Sequence, residues 1–348
     1  MLIEGANGSG KTSILEALHY GCFLKSFRTN QVKDLLAFDS THFFLKVEFE
    51  EKAGDENQVQ VGLSLVDSSP KRLVRFNKKV INSYRDLISR YRIISLTEDD
   101  LQLVQGAPEV RRYFLNQLAV LFNPDFINNL KKYKQIKEQR NTIISTIHEN
   151  ALTSSEELKI WSKQLWEESI VIQKERINHL KVLEDHINNI LTKAFPSIDL
   201  EISFQYSVKN SIWKGTFEKF WNEYKGKKLT SEWRMRRGLF GAHLDDFIIT
   251  FKEKNSPKSK ARSFASRGQQ KLVLFLIKIA LAQKLEELGM QVALLLDDFL
   301  TDFDHQRLTD SLSLLSKLSC QVFITCPLKT LITEHYTGSA DLMQVISL

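Results

Sequence analysis

The residues best suited to chemistry sit near the start of the chain, in Gly5-Ala6-Asn7-Gly8-Ser9-Gly10-Lys11-Thr12. In the spacing G-x-x-x-x-G-K-[ST], glycines let backbone N–H groups curl around phosphates, the lysine reaches the terminal phosphates and the hydroxyl ligates Mg²⁺. Gly5, Asn7, Gly8, Gly10, Lys11 and Thr12 are therefore the candidate nucleotide-binding residues. A second constellation lies far along the chain, where Val292-Ala293-Leu294-Leu295-Leu296 ends in Asp297-Asp298. An uninterrupted apolar run is what a central parallel strand buried on both faces should show. Ligands of open α/β sheets bind at the carboxyl ends of the strands, so both acids are expected to face the glycine-rich loop. Asp297 would hold Mg²⁺ through the metal's shell, and Asp298 would orient or deprotonate an attacking water. A structural pair of turn aspartates explains the same residues until the glycine-rich loop is considered.

The elements that must position these groups are also legible. Met1-Leu2-Ile3 is an apolar stub that can end a strand, and Ser13 to Leu18 opens a helix with one apolar face, so phosphate would meet a helix N-terminus. Ser263 to Lys271 is a small, polar, glycine-containing lead into a long apolar helix through Leu276, Ile279, Leu281 and Leu285. It is either a second anion-binding helix start or an ordinary serine-capped one. Gln321 to Thr325 reads as a neighbouring buried strand, and Thr325 would offer a hydroxyl near the terminal phosphate or simply close a turn. His243, alone in a loop, reads as a structural hydrogen-bonding residue more readily than a catalytic one.

Composition bounds the rest. A chain of 348 residues with 43% hydrophobic content has room for two or three domains and a sizeable core. A net charge of +6 favours a polyanionic partner only modestly, because 42 acidic residues are interspersed with 48 basic ones. Cys22, Cys320 and Cys326 show no metal-ligand spacing and fit a reducing cytoplasm. No apolar run approaches the ~18 residues of a membrane helix and no signal pattern opens the chain, so a soluble cytoplasmic protein without a membrane partner is expected.

Between the two constellations the pattern changes twice. Phe43–Phe49, Val59–Val66 and Arg72–Val80 alternate as strands of an antiparallel ribbon, separated by the polar loop EKAGDENQ and a turn from Asp67 to Lys71. Gly106-Ala107-Pro108-Glu109 halts one element and starts a helix. From there to about Tyr224, apolar residues recur at helical steps, through Leu115, Leu118, Leu121, Phe126 and Leu130 and again from Leu158 to Leu191. Two helices packed antiparallel around a loop at Asn150 to Ser155 would make a short arm. The expected division is 1–108 and 226–348 for the head and 109–225 for the arm. Three basic clusters are candidate DNA contacts or solvated faces. They are Lys131, Lys132, Lys134, Lys137 and Arg140; Lys225, Lys227, Lys228, Arg234, Arg236 and Arg237, with Trp213, Trp221 and Trp233 nearby; and the run from Lys252 to Arg267.

The order GANGSGKT, LEAL, SFR, EDDLQLVQGAPEVRRYFL, GAHLDDF, FASRGQQK, LLLDDF, QVFIT resembles the bacterial RecF family of DNA replication and repair proteins, relatives of ABC-type and SMC-type ATPases. The resemblance covers nearly the whole chain. It implies an α/β, ABC-type P-loop ATPase head with an antiparallel β subdomain and an inserted helical arm, dimerising head to head on ATP. Lys11 and Thr12 would hold phosphate and Mg²⁺, Asp297 would be the second metal-shell acid and Asp298 the hydrolytic carboxylate. Ser266, Gly268 and Gln269 would touch the γ-phosphate held by the opposite protomer. It further implies binding of single-stranded and gapped duplex DNA with little sequence preference, and cooperation with RecR and RecO. Three departures from the family pattern are Leu244 in place of arginine, Asp302-Phe303-Asp304 in place of Glu-Leu-Asp, and Asn116 in place of aspartate. The family also carries further strands before the P-loop, so a sheet edge is expected to lie bare here, from a start assigned too late or a gene in decay. A nucleotide-binding repair scaffold with little hydrolysis is the alternative function. A transporter ATPase fits neither the arm nor the missing membrane segment.

Overall fold

The computed structural model describes residues 1–29, 31–50, 54, 56–66, 69–81, 85–88, 90–148, 155–208, 215–253, 256–336, 338 and 343–348. In chain order its strands are β1 (Leu2–Glu4), β2 (His42–Glu50), β3 (Glu56–Val66), β4 (Ser69–Phe76), β5 (Lys79–Val80), β6 (Tyr91–Leu96), β7 (Leu200–Ser207), β8 (Asp246–Glu253), β9 (Ser259–Lys260), β10 (Gln291–Leu296), β11 (Gln321–Cys326) and β12 (Val345–Ser347). The chain divides into two compact units. Unit 1 is Met1–Leu101, Asn189–Ile198 and Ser266–Leu348; unit 2 is Gln102–Asn188 and Asp199–Ala265.

Unit 1 is built on a parallel sheet of order β12-β1-β11-β10-β6. β10 is an interior strand, paired in parallel with β11 on one side and β6 on the other, as its apolar run suits, and Leu294, Leu295 and Leu296 are all at most 1% exposed. On one face the helix Lys11–Phe23 contributes Leu15 and Cys22 to a cluster with Ile3, Ile93, Leu295 and Phe323. The helix Arg267–Glu287 buries nearly its whole circumference, as an apolar-all-round helix must. β1 has a parallel neighbour on each side, Leu2 standing opposite Ile324 and Val345. The bare edge expected beside it is thus taken up by β12, a strand from the other end of the chain.

The expected ribbon forms as β2-β3-β4-β5, antiparallel throughout. Val59, Val61 and Val74 pack with Tyr20 of the P-loop helix and with Leu24 just after its end. Parts of the EKAGDENQ loop and of the turn between β3 and β4 lie outside the described residues, as do Asn30 and most of the loop from Asn150.

Unit 2 holds most of the helical stretch expected as the arm. The pattern from Leu115 to Leu130, expected to be one helix, is two, Pro108–Phe122 and Phe126–Thr146. The break falls at Asn123-Pro124-Asp125, where proline removes an N–H and clashes with the preceding turn. Asn123 is extended and its side chain accepts from the Asp125 N–H at 3.1 Å. The 39-residue helix Glu156–Ala194 runs antiparallel to Phe126–Thr146, since Arg140 meets Ser162 while Lys132 meets Glu168. Ile144, Ile136, Leu158, Leu165 and Ile172 fill the seam, with Trp221 and Tyr224 from the helix Phe217–Tyr224, Leu229 from Lys227–Met235, and Phe240 from the segment after them. Gly241 to Asp246, expected to return the chain to the head, stay in unit 2, because β8 pairs with β7 and β9 in a second antiparallel sheet.

Candidate active site

The glycine-rich loop joins β1 to the helix Lys11–Phe23 as expected. Gly8 (φ 88°) and Gly10 (φ 102°) adopt the left-handed conformation that side chains resist, and Gly10 caps the helix directly. Space is tight at Gly5, where a Cβ would stand 2.5 Å from Ser9 Oγ, which can rotate aside, and 3.2 Å from the Leu348 C=O. Ser9 N–H donates to Ala6 C=O at 3.1 Å, closing the turn. Lys11 is buried, and its ammonium spans the loop to donate to Gly5 C=O at 2.8 Å and Ala6 C=O at 3.2 Å. The first N–H groups of an α-helix have no partner within it, so loop and helix together aim donors and a cation at one point.

The second constellation closes on the first. Thr12 Oγ1 donates to Asp297 Oδ1 at 2.9 Å, and Thr325 Oγ1 donates to the same oxygen at 2.9 Å. Thr325 in turn accepts the Asp298 N–H at 2.9 Å, so the hydroxyl at the end of β11 fixes both acids. Asp298 turns out of the strand in a left-handed conformation (φ 48°), and Thr301 Oγ1 donates to its carbonyl at 2.7 Å. Its Oδ1 is buried and unbonded. Burial is the first cause pushing the Asp298 carboxyl above its usual range, with Asp297 adding to it and Lys11 and Thr325 opposing. The neighbouring Cys326 thiol is pushed up to about 11, mainly by burial with Asp298 contributing, and so stays protonated.

A Thr12 hydroxyl and an Asp297 carboxylate in contact fit Mg²⁺, a hard cation held through one or two carboxylates, waters and substrate phosphates rather than a protein cage. Among the described residues no group of three or more His, Cys, Asp or Glu forms such a cage.

Ser266, Gly268 and Gln269 stand at another place in unit 1, the start of the helix Arg267–Glu287. Ser266 Oγ accepts the Gln269 N–H at 3.2 Å and Gln269 Oε1 accepts the Ser266 N–H at 2.8 Å, a reciprocal capping box. A Cβ at Gly268 would meet Arg307 Nη1 at 2.9 Å. One turn on lies a group that spacing does not reveal. Lys271, wholly buried, bonds Glu98 and, at 2.7 Å, Asp302, and lies 4.9 Å over the Phe299 ring. Arg267 joins the same carboxylates, at 3.0 Å from Glu98 and 3.7 Å from Asp302.

The chain has recognisable relatives along nearly its whole length. The RecF/RecN/SMC N terminal domain family model matches residues 1–345. The DNA replication and repair protein RecF of Acholeplasma laidlawii is 30% identical over 329 residues, covering 94% of this chain and 87% of that protein. The chain belongs to the RecF family. The RecF protein of Chloroherpeton thalassium is also 30% identical, over 93% of the chain and 87% of its own length. Among solved structures, the recombination mediator protein RecF bound to ATP superposes with a TM-score of 0.78 at 22% identity, covering 94% of this chain and 86% of that one. An Smc head bound to the C-winged helix domain of ScpA superposes at 0.54 and 13% identity over 99% of the chain and 85% of that one. At those identities the superpositions establish the fold, an α/β ATPase-head architecture shared by RecF and SMC proteins.

Two of the three departures from the RecF pattern fall at side chains that are bonded, whereas the apolar Leu244 side chain makes no hydrogen bond. Asn116 keeps an acceptor where an acid is expected, receiving Arg176 Nη2 at 2.8 Å. Asp302 is bound by Lys271, whose hydrogen bond is the first cause holding its carboxyl below the usual range, and Asp304 caps the helix His305–Leu315 by accepting the Arg307 N–H at 2.9 Å. In GAHLDD, Asp245 is buried under Gln173, Tyr206 and Arg176, and Asp246 makes a two-pronged bond to Arg111. His243 Nδ1 is 2.7 Å from Tyr133 Oη, and burial lowers its pKa to about 4. All three side chains make their bonds within unit 2.

Of the three basic clusters, the first is partly spent within the protein. Arg140 is buried against Glu232, Lys132 bonds Glu168 and Lys134 lies 3.9 Å from Glu138. Lys225, Lys227, Lys228, Arg234, Arg236 and Arg237 are exposed and meet no carboxylate among the described residues. Arg236 stacks 4.9 Å over half-buried Trp233, Trp221 is buried, and Trp213 lies outside the described residues. In the third run Lys252, Lys258, Lys260 and Arg262 are exposed beside Phe264, which is 70% exposed, while Lys254 lies outside the described residues. No described helix is long and apolar enough to cross a membrane.

Proposed function

We propose that the chain is an ATP-dependent DNA-binding clamp of recombinational repair that hydrolyses ATP slowly between two copies paired head to head in the cytoplasm. The observation that carries this is the continuous bond path from Thr12 through Asp297 and Thr325 to Asp298, which brings two sequence-distant motifs to one point beside Lys11. In this reading Gly5, Asn7, Gly8 and Gly10 let the loop's N–H groups face the phosphates, and the Lys11 ammonium exchanges its two loop carbonyls for phosphate oxygens. Mg²⁺, when bound, neutralises the charge developing on the phosphates, with Thr12 and Asp297 holding it. Asp298, its carboxyl raised by burial, orients and deprotonates the attacking water. Ser266, Gly268 and Gln269 of a second copy complete the cage around the terminal phosphate, so ATP holds the pair together.

The exposed cations of the second and third basic clusters that meet no carboxylate supply the contact surface for single-stranded and gapped duplex DNA, mainly to phosphates. RecR and RecO are the partners expected of a RecF-family protein. The capping box favours one alternative, a nucleotide-binding scaffold with little hydrolysis, because Ser266 and Gln269 already satisfy each other. Fluorescence anisotropy with gapped duplex and Mg–ATP tests the DNA reading. Affinity should fall steeply as salt rises and vary little with sequence; affinity that stays constant with salt contradicts it.

A further inference from the structure

The Lys271 cluster joins three pieces of unit 1 that each belong to a different motif. Glu98 follows the end of β6, whose Leu96 C=O accepts the Asp297 N–H at 2.9 Å. Asp302 ends the single 3₁₀ turn Phe299–Asp302 that begins at Asp298, and buried Phe299 lies under the ammonium. Lys271 itself stands one turn beyond Ser266 in the helix that the capping box starts. One buried cation therefore fastens the loop carrying Asp298 to the helix start carrying Ser266, Gly268 and Gln269.

The carboxylates that fasten it are not buried. Their side chains are 45% (Glu98) and 47% (Asp302) exposed, and Arg267 lies beside both. A buried cation whose counter-charges can hydrate is a tie that can be remade at modest cost, unlike a pair sealed from water. We infer that Lys271 is a positioning residue coupling the two half-sites of the chain, so that nucleotide contact at Asp298 sets the helix start offered to a second copy. The inference rests on the reading that this helix start serves another copy's nucleotide.

The coupling is testable on the full chain by hydrogen exchange with Mg–ATP, alongside steady-state hydrolysis. In wild type, nucleotide should slow exchange at residues 8–13 and also at residues 266–270. Lys271→Met should keep the first effect and lose the second, with KM for ATP within about threefold and kcat lowered at least about tenfold. Lys271→Arg should restore part of both. Asp302→Asn, which leaves the ammonium paired with Glu98, should weaken the second effect without unfolding the chain. Protection at 266–270 unchanged in Lys271→Met and Asp302→Asn overturns the coupling. Wild-type protection at residues 8–13 alone also overturns it while leaving the nucleotide site standing. No protection at either place removes the nucleotide reading and the coupling with it.

Discussion

Two buried cations, one in each unit, show how the same chemistry is used for different ends. Arg140 in unit 2 and its partner Glu232 are both 0% exposed. The guanidinium is satisfied in every direction, by Ser162 at 2.8 Å, by both Glu232 oxygens and by the face of Phe240 at 4.5 Å. Glu232 also accepts the Leu239 N–H at 2.5 Å. Lys271 in unit 1 is equally buried, yet its two carboxylates are about half in water. A sealed pair locks a helix seam once, whereas a half-open one can be re-formed during a cycle. The arm is thus held as architecture and the head start of the helix Arg267–Glu287 as an adjustable joint.

The largest effect expected of this contrast is on stability. Arg140→Met should destabilise unit 2 by about 3–5 kcal/mol, because Glu232 is left charged and dry. The measurement is the urea midpoint, and Arg140→Met combined with Glu232→Leu should recover most of the loss. Lys271→Met should cost no more than about 1–2 kcal/mol by the same assay, since Glu98 and Asp302 rehydrate and Arg267 remains beside them. Equal losses for the two variants would erase the distinction between lock and joint.

A smaller effect concerns acid. Burial holds His243 in unit 2 neutral down to about 4, against 6.5 for an ordinary imidazole. The unfolded chain therefore binds protons first as pH falls below about 6.5, and stability is lost from there down to about 4, where the folded imidazole itself titrates. His243→Gln should flatten that limb of a pH–stability curve followed by circular dichroism; an unchanged limb would show that the burial of a neutral His243 does not set it. His19 in unit 1, held at about 3 by burial chiefly and stacked on Phe23, should add to the same limb.

Much of this is readable from residues alone, and the failures have physical causes. GANGSGKT and LLLDD announce themselves because phosphate binding needs φ above zero at fixed places, as Gly8 and Gly10 have, and because a doubly buried strand admits no polar residue before its end. Thr325 is visible in the sequence only as one alternative of two; its role emerges once β11 lies beside β10. Lys271 cannot be found by spacing, since Glu98, Asp302 and Lys271 meet only through the fold and a lysine in a helix reads as solvated. Arg140 is misread for the same reason. Lys131 and Lys134 on the same helix are exposed, and only the turn of the helix carries Arg140 inward to Glu232. Periodicity also misses the helix break at Pro124, because apolar steps continue across it.

In the proposed function Lys11, Thr12, Asp297, Thr325 and Asp298 form one hydrolytic site. Its most direct test is ATP turnover by wild type, Lys11→Ala and Asp298→Asn, each with and without gapped duplex DNA, together with nucleotide binding by the same three proteins. The expected result is slow, DNA-stimulated turnover in wild type, loss of both binding and turnover in Lys11→Ala, and retained binding with turnover lowered at least about a hundredfold in Asp298→Asn. Equal turnover in all three proteins would contradict it.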